Sequence, residues 1–213
     1  MTGSIYPQLE PILGRVAKPV QYVGGEVNSV VKDWDSVAVH WALVYPDAYE
    51  VGSPNQGVQI LYEVLNERQD ALAERAYAVW PDLETELRSA GLPAFTVDSQ
   101  RPLGDFDVIG VSLATELGYT NLLTLLDLAG IPLRSADRGG DHPLVVVGGH
   151  AAFNPEPLAP FIDAAVLGDG EQAVGRISDR IAQWQADGRP GGRSGILERL
   201  DPRGGHGGQE RTG

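Results

Sequence analysis

The sequence predicts an α/β fold, a doubly wound parallel sheet of five strands. Three observations carry that expectation. Five short, nearly continuous apolar runs are spread along the chain, helix-like segments separate them, and the unusual residues collect just after the runs. Strands covered on both faces read as continuous apolar stretches, and parallel neighbours need a crossover helix between them.

Each element follows in order. Residues 1–36 read as an N-terminal extension, with a helix expected over Ile5 to Leu13 and a turn at "YVGGE", Tyr22 to Glu26. The first strand is Val37 to Tyr45, "VAVHWALVY". A long loop, "YPDAYEVGSPNQG", leads to a helix over Gln56 to Glu67 with Val58, Leu61, Tyr62 and Leu65 on one face and Asn55 as its cap. Arg75 to Trp80 forms the second strand, and the next helix runs from Asp82, placed as a cap, to Ala90 before Gly91. Phe106 to Leu113 is the third strand, followed by a leucine-rich helix over Glu116 to Ala129, with Thr115 as cap and Gly130 as stop. The fourth strand is Leu144 to Val147, and the connection through Pro155 to Phe161 has room only for a short helix. Ala164 to Leu167 is the fifth strand, ahead of an amphipathic helix over Glu171 to Ala186. Residues 188–213 are rich in glycine and arginine, with one helical turn at Ile196 to Leu200; disorder is expected there because little apolar surface offsets the ordering entropy.

The strand–helix alternation over residues 37–187 argues for a flavodoxin-like or Rossmann-like sheet of order 2-1-3-4-5 with right-handed crossovers. Ligands of such sheets bind outside the carboxyl ends of the strands, at the switch point between the first and third.

Composition removes several classes of function. The 213 residues carry 29 acids against 16 bases, a net charge of −13, which argues against a general nucleic-acid binder. Lys18 and Lys32 are the only lysines, and no cysteine is present, so thiolate metal sites, disulfides and iron–sulfur ligation within this chain are excluded. The opening residues lack a basic and an apolar signal region, and no apolar run approaches the ~20 residues of a membrane span. A cytoplasmic protein with no membrane partner is the expectation.

Candidate binding residues fall after the strands. The first loop offers Tyr49, Gly52 and Asn55 at the start of a helix whose free N–H groups suit an anion. Ser112 and Leu113 stand where the third strand ends, and the serine hydroxyl can serve a ligand or the local backbone. Gly148 and Gly149 end the fourth strand and let another group pass at van der Waals distance; His150 follows them. Gly168, Gly170 and Glu171 of "LGDGE" follow the fifth strand. No Walker loop or dinucleotide fingerprint is present, a receiver domain's phospho-acceptor position holds Ser112, and "GVSLA" matches a nucleophile elbow only in part.

Ser112 and Leu113 after the third strand, paired glycines after the fourth and Gly-Asp-Gly-Glu after the fifth together resemble the cobalamin-binding Rossmann-like domain at the N-terminus of many radical S-adenosylmethionine (SAM) proteins. Longer runs, "KPVQYVGGEVNSVVKDWDSV", "ALVYPDAYEVGSPNQGVQILYEVLNER", "TELGYTNLLTLLDLAGIPL", "GGHAAFNPEP" and "DAAVLGDGE", are similar to one bacterial radical SAM family over Ser4 to about Arg193. The resemblance implies a cobalamin-binding domain in which Ser112, Gly148 and Gly149 match the places that line the nucleotide tail, with the other eight candidates named above as further cofactor-binding residues. It also implies a partner, the radical SAM barrel of the parent protein, with the N-terminal extension packed against that barrel. The iron–sulfur cluster and S-adenosylmethionine belong to the parent alone. Two departures stand out. The D-x-H-x-x-G loop, whose histidine binds cobalt, is missing, so the domain either holds cobalamin without that ligand or no longer holds it. The cysteines of the cluster are absent, and the family-like text fades near "WQADGRPGGR"; a truncated or frame-shifted chain, or a fragment, inactive by itself, is the expectation. The rival expectations are a docking module with no small molecule and a nucleotide or flavin binder.

Overall fold

The computed structural model describes residues 3–201. Its five parallel strands are β1 (Val39–Ala48), β2 (Ala71–Ala78), β3 (Val108–Ser112), β4 (Leu144–Gly148) and β5 (Ala164–Ala165). They form one sheet of order β2-β1-β3-β4-β5, the order read from the sequence. Strand β2 begins four residues earlier than expected. Its Glu74 and Arg75 interrupt the apolar text, yet both are buried, because Glu74 accepts hydrogen bonds from Thr96 and Ser99 while Arg75 pairs with Asp98.

Side chains alternate across the sheet and divide the interior into two layers. On one face Trp41, Leu43, Tyr45, Val108 and Val146 meet α3 (Gln56–Glu67), α6 (Gly170–Ala186) and α7 (Gly192–Leu200). On the other face Ala42, Val44, Ile109, Val111, Val145 and Val147 meet α1 (Tyr6–Leu13), α4 (Pro81–Ala90) and α5 (Gly118–Leu128). Each such side chain, fully buried, is worth about 1.5–3 kcal/mol.

Local chemistry sets the helix ends. The Asn55 side chain accepts from the Val58 N–H at 3.0 Å and caps α3, as expected. Helix α4 closes on left-handed Gly91, with the Leu92 N–H reaching the Leu87 carbonyl. Two expected caps are not used. Helix α4 begins at Pro81, and Asp82, already inside the first turn, accepts from the Ala17 and Leu83 N–H groups instead. Helix α5 begins at Gly118, three residues beyond Thr115, and has no side-chain cap.

The N-terminal helix buries Leu9, Ile12 and Leu13 with Val16 and Tyr22 in this chain's own core, while Val20, Val27 and Val31 later in the extension are exposed. The stretch after residue 187 is not featureless. Helix α7 buries Ile196, and Arg193 donates to the carbonyls of Gly139, His142 and Pro143 and to Asp163. The expected disorder otherwise concerns residues 202–213, which lie outside the described residues.

The amino edge of the sheet is tied by carboxylates placed directly before strands. Asp163 precedes β5; its Oδ2 accepts from Arg138 at 3.0 Å, Arg193 at 2.6 Å and the Val145 N–H of β4 at 2.7 Å, and its Oδ1 accepts from Ser135. Asp107 precedes β3 and accepts from the backbone N–H and ring of His40 in β1 and from Gln185 of α6. Asp70 precedes β2 and takes a two-pronged contact from Arg68.

Candidate functional site

A cavity of about 240 Å³ opens at the carboxyl edge, between the sheet and helices α3 and α6. Its floor is Trp41 and Leu43 of β1, Gly110 and Ser112 of β3, and Val146 and Gly148 of β4. Val58 and Leu61 of α3 and Ala173, Val174 and Ile177 of α6 enclose it, and Gly149, Gly168, Asp169, Gly170 and Glu171 form its mouth.

Glycines shape this space. A Cβ on Gly110 would sit 3.1 Å from the Trp41 ring, so glycine in mid-strand lets the indole lie across β3. The indole N–H donates to Ser178 of α6 at 3.0 Å, which fixes the ring as floor rather than plug. A Cβ on Gly170 would lie 3.1 Å from Leu61, so its absence brings the first turn of α6 close to α3 and sets the roof. The α6 N-terminus carries no side-chain cap, in contrast with α3, so its leading N–H groups point at the mouth without a side-chain acceptor. The interior is apolar. Among the described residues the half-buried Ser112 hydroxyl on the floor has no protein hydrogen-bond partner, and the carboxylates Asp169 and Glu171 stand outside at the rim.

Of the sequence candidates, Ser112, Gly148, Gly149, Gly168, Gly170 and Glu171 come together around this cavity. The two central glycines differ in kind. A Cβ on Gly148 would meet only Val166, at 3.9 Å, so that position is open. Gly149 has φ +92, and its Cβ would lie 2.7 Å from the Leu113 carbonyl oxygen. Its close neighbour is therefore this chain's own backbone, where Ala151 N–H bonds to the Leu113 carbonyl and Leu113 N–H to that of Gly148. The other candidates lie elsewhere. Leu113 is buried in the opposite layer. Gly52 lies under Tyr77, whose ring a Cβ would overlap. Tyr49 packs edge-on to Tyr77 and donates its hydroxyl to Glu26 of the N-terminal segment; burial, then that carboxylate, pushes its pKa up. Asn55 is spent as a cap, and His150 is exposed beside Phe153. Reading the sequence missed Trp41, Leu61 and Gly110, although a glycine inside an apolar run is itself a signal of close approach.

The segments that follow four of the strands each carry an exposed apolar side chain: Val51 after β1, Leu117 after β3, Phe153 after β4 and Leu167 after β5. Exposed acids accompany them at Asp47, Glu116, Glu156 and Asp169.

The residues present do not fit a four-iron cluster: the chain has no cysteine, and among the described residues no group of three or more His, Asp or Glu could hold a metal. The cavity between the sheet and α3/α6 is instead lined mostly by apolar side chains and glycines. Among the described residues no helix is long and apolar enough to cross a membrane. Comparison with curated proteins and with solved structures found no match. The family model described as "Radical SAM proteins, N-terminal" matches residues 57–205, from the first turn of α3 to beyond α7. That stretch supplies four of the five strands and both helices over the cavity, so the chain belongs to the family of N-terminal regions of radical SAM proteins.

Proposed function

We propose that this chain is a cobalamin-binding module that presents its cofactor to the cluster-bearing domain of a radical SAM protein. The carrying observation is the apolar cavity at the carboxyl edge, with Gly148 open in its floor and Ser112 offering an uncommitted hydroxyl. Its volume of about 240 Å³ falls below the ~300–1,000 Å³ of pockets that enclose a whole drug-sized ligand. It therefore suits an arm of the ligand, leaving the larger ring system outside on the edge. Bound cobalamin supplies cobalt chemistry; the chain supplies position. Ser112 would bond a polar atom of the arm, Gly148 would admit it, and the uncapped start of α6 would face an anionic group at the mouth. No histidine lines the cavity, and the Tyr49 hydroxyl is engaged by Glu26.

Titration with hydroxocobalamin, followed by visible absorbance and gel filtration, tests this reading. A stoichiometric coloured complex is expected, at least tenfold weakened by Gly148→Val with an unchanged melting temperature. Gly149→Val is unsuitable as a blocking variant, because it strains the backbone at Leu113 whatever the ligand. A colourless protein peak would leave the docking role alone, which the exposed apolar side chains after the strands support without any small molecule.

A further inference from the structure

We propose that the carboxyl edge is an electrostatically steered docking face whose partner is a protein surface with an apolar centre ringed by lysine and arginine. The inference rests on the reading that this edge meets the cluster-bearing domain, and it specifies the chemistry that domain must present. Four loops leaving the sheet each pair an exposed apolar side chain with an exposed acid: Val51 with Asp47, Leu117 with Glu116, Phe153 with Glu156, and Leu167 with Asp169. None of these four acids is paired with a cation among the described residues. The segments that follow the strands, residues 49–55, 79–80, 113–117, 149–163 and 166–169, contain no lysine or arginine at all. Lys18 of the N-terminal segment reaches this edge, where it is paired with Glu50 and lies over the Trp80 ring.

The arginines are elsewhere. Arg68, Arg138 and Arg193 serve aspartates at the amino edge, and Arg199 pairs with Asp187. Four of the acids behind the net charge of −13, Asp47, Glu116, Glu156 and Asp169, thus stand exposed on the cavity side with no cation beside them among the described residues. Exposed apolar side chains interspersed with charge of one sign describe an interface whose apolar part holds the complex and whose charges speed encounter. A second copy of this chain is disfavoured on that face, since it would bring acid against acid.

The test uses this 213-residue chain and the cluster-bearing region of a radical SAM protein that carries the present type of N-terminal region on the same polypeptide, purified with its cluster intact. Association and dissociation rates are measured from about 0.02 to 0.5 M salt, a range over which the screening length falls several-fold. For the wild-type chain, association is expected to slow by about tenfold or more across that range. In the triple variant Asp47→Asn, Glu116→Gln, Glu156→Gln, low-salt association should fall to the high-salt rate with dissociation little changed. Leu117→Ser with Phe153→Ser should raise dissociation about tenfold and leave the salt dependence intact. Binding that does not depend on salt, or a triple variant that associates as fast as wild type, would overturn the inference while leaving the docking reading in place. Absence of binding at every salt concentration, with hydroxocobalamin still taken up, would overturn the docking reading and this inference with it, but not the cofactor site.

Discussion

The two ends of the sheet are built on opposite principles. At the amino edge, Asp163 is buried and paired: its side chain and that of Arg138 are 0% exposed, Arg193 is 10% exposed, and burial depresses the Arg138 pKa against the pull of its aspartate. At the carboxyl edge, Asp47, Glu116, Glu156 and Asp169 are exposed and unpaired among the described residues, the backbone is open at Gly148, and a cavity remains. One end spends its charges on holding strands in register, and the other leaves charge and surface free for partners. Function in a doubly wound fold can change at the open end only because the closed end keeps the scaffold.

The largest expected effect tests the closed end. Asp163→Ala removes the acceptor shared by two arginines, a serine and the Val145 N–H, and strands buried positive charge. A loss of about 3–5 kcal/mol in urea unfolding is expected. The matching change at the open end, Asp169→Ala, should stay within about 0.5 kcal/mol of wild type. Equal costs would dissolve the contrast.

A smaller effect separates neighbours within the open end. Gly149→Ala places a methyl 2.7 Å from the Leu113 carbonyl oxygen at φ +92 and should cost roughly 1–3 kcal/mol by thermal melting. Gly148→Ala, with Val166 at 3.9 Å, should be neutral within about 0.5 kcal/mol. If the two melt alike, the distinction between a glycine for folding and a glycine for access is wrong.

That distinction marks where the sequence stops being informative. Strand order and most helix limits were legible because they follow from periodicity and from stops such as Gly91, which are local. The start of β2 was not, since Glu74 and Arg75 look like surface residues until Thr96, Ser99 and Asp98 cover them from 20 or more residues away. Helix α7 was hidden likewise. Its glycine-rich text has little helical preference, and Arg193 anchors it to carbonyls about fifty residues earlier. At the site, the sequence located the glycines after the strands but not their separate duties. It also assigned Tyr49 and Gly52 to a ligand, whereas the structure uses both to pack the first loop against Tyr77. A repeated signal went unread: Asp70, Asp107 and Asp163 each stand one residue before a strand.

Helix ends give a third, milder contrast. Asn55→Ala removes the acceptor of the Val58 N–H and should cost about 1 kcal/mol, read from urea unfolding. Helix α6 lacks such a cap, so Asp169→Asn should not change stability measurably; a loss comparable with that of Asn55→Ala would mean that the α6 terminus is satisfied by its own side chain and is not free for a ligand.

The smallest effect concerns acid. Hydrogen bonding to Arg68 holds the Asp70 pKa below its ordinary value of 3.8, with burial acting in the opposite direction. A carboxylate whose pKa is depressed on folding contributes stability that is complete above the unfolded value and lost as pH falls through the folded one. The Asp70 side chain is 44% exposed, so solvent screens the pair and its worth should be under about 1 kcal/mol. The urea midpoint of Asp70→Asn should therefore lie slightly below wild type at neutral pH and converge on it as the solution is acidified below 3.8. A gap that persists unchanged in acid would mean that the ionised carboxylate adds nothing. The residue would then act at the closed end through its carbonyl, which accepts the Ala38 and Val39 N–H groups and pins the start of β1.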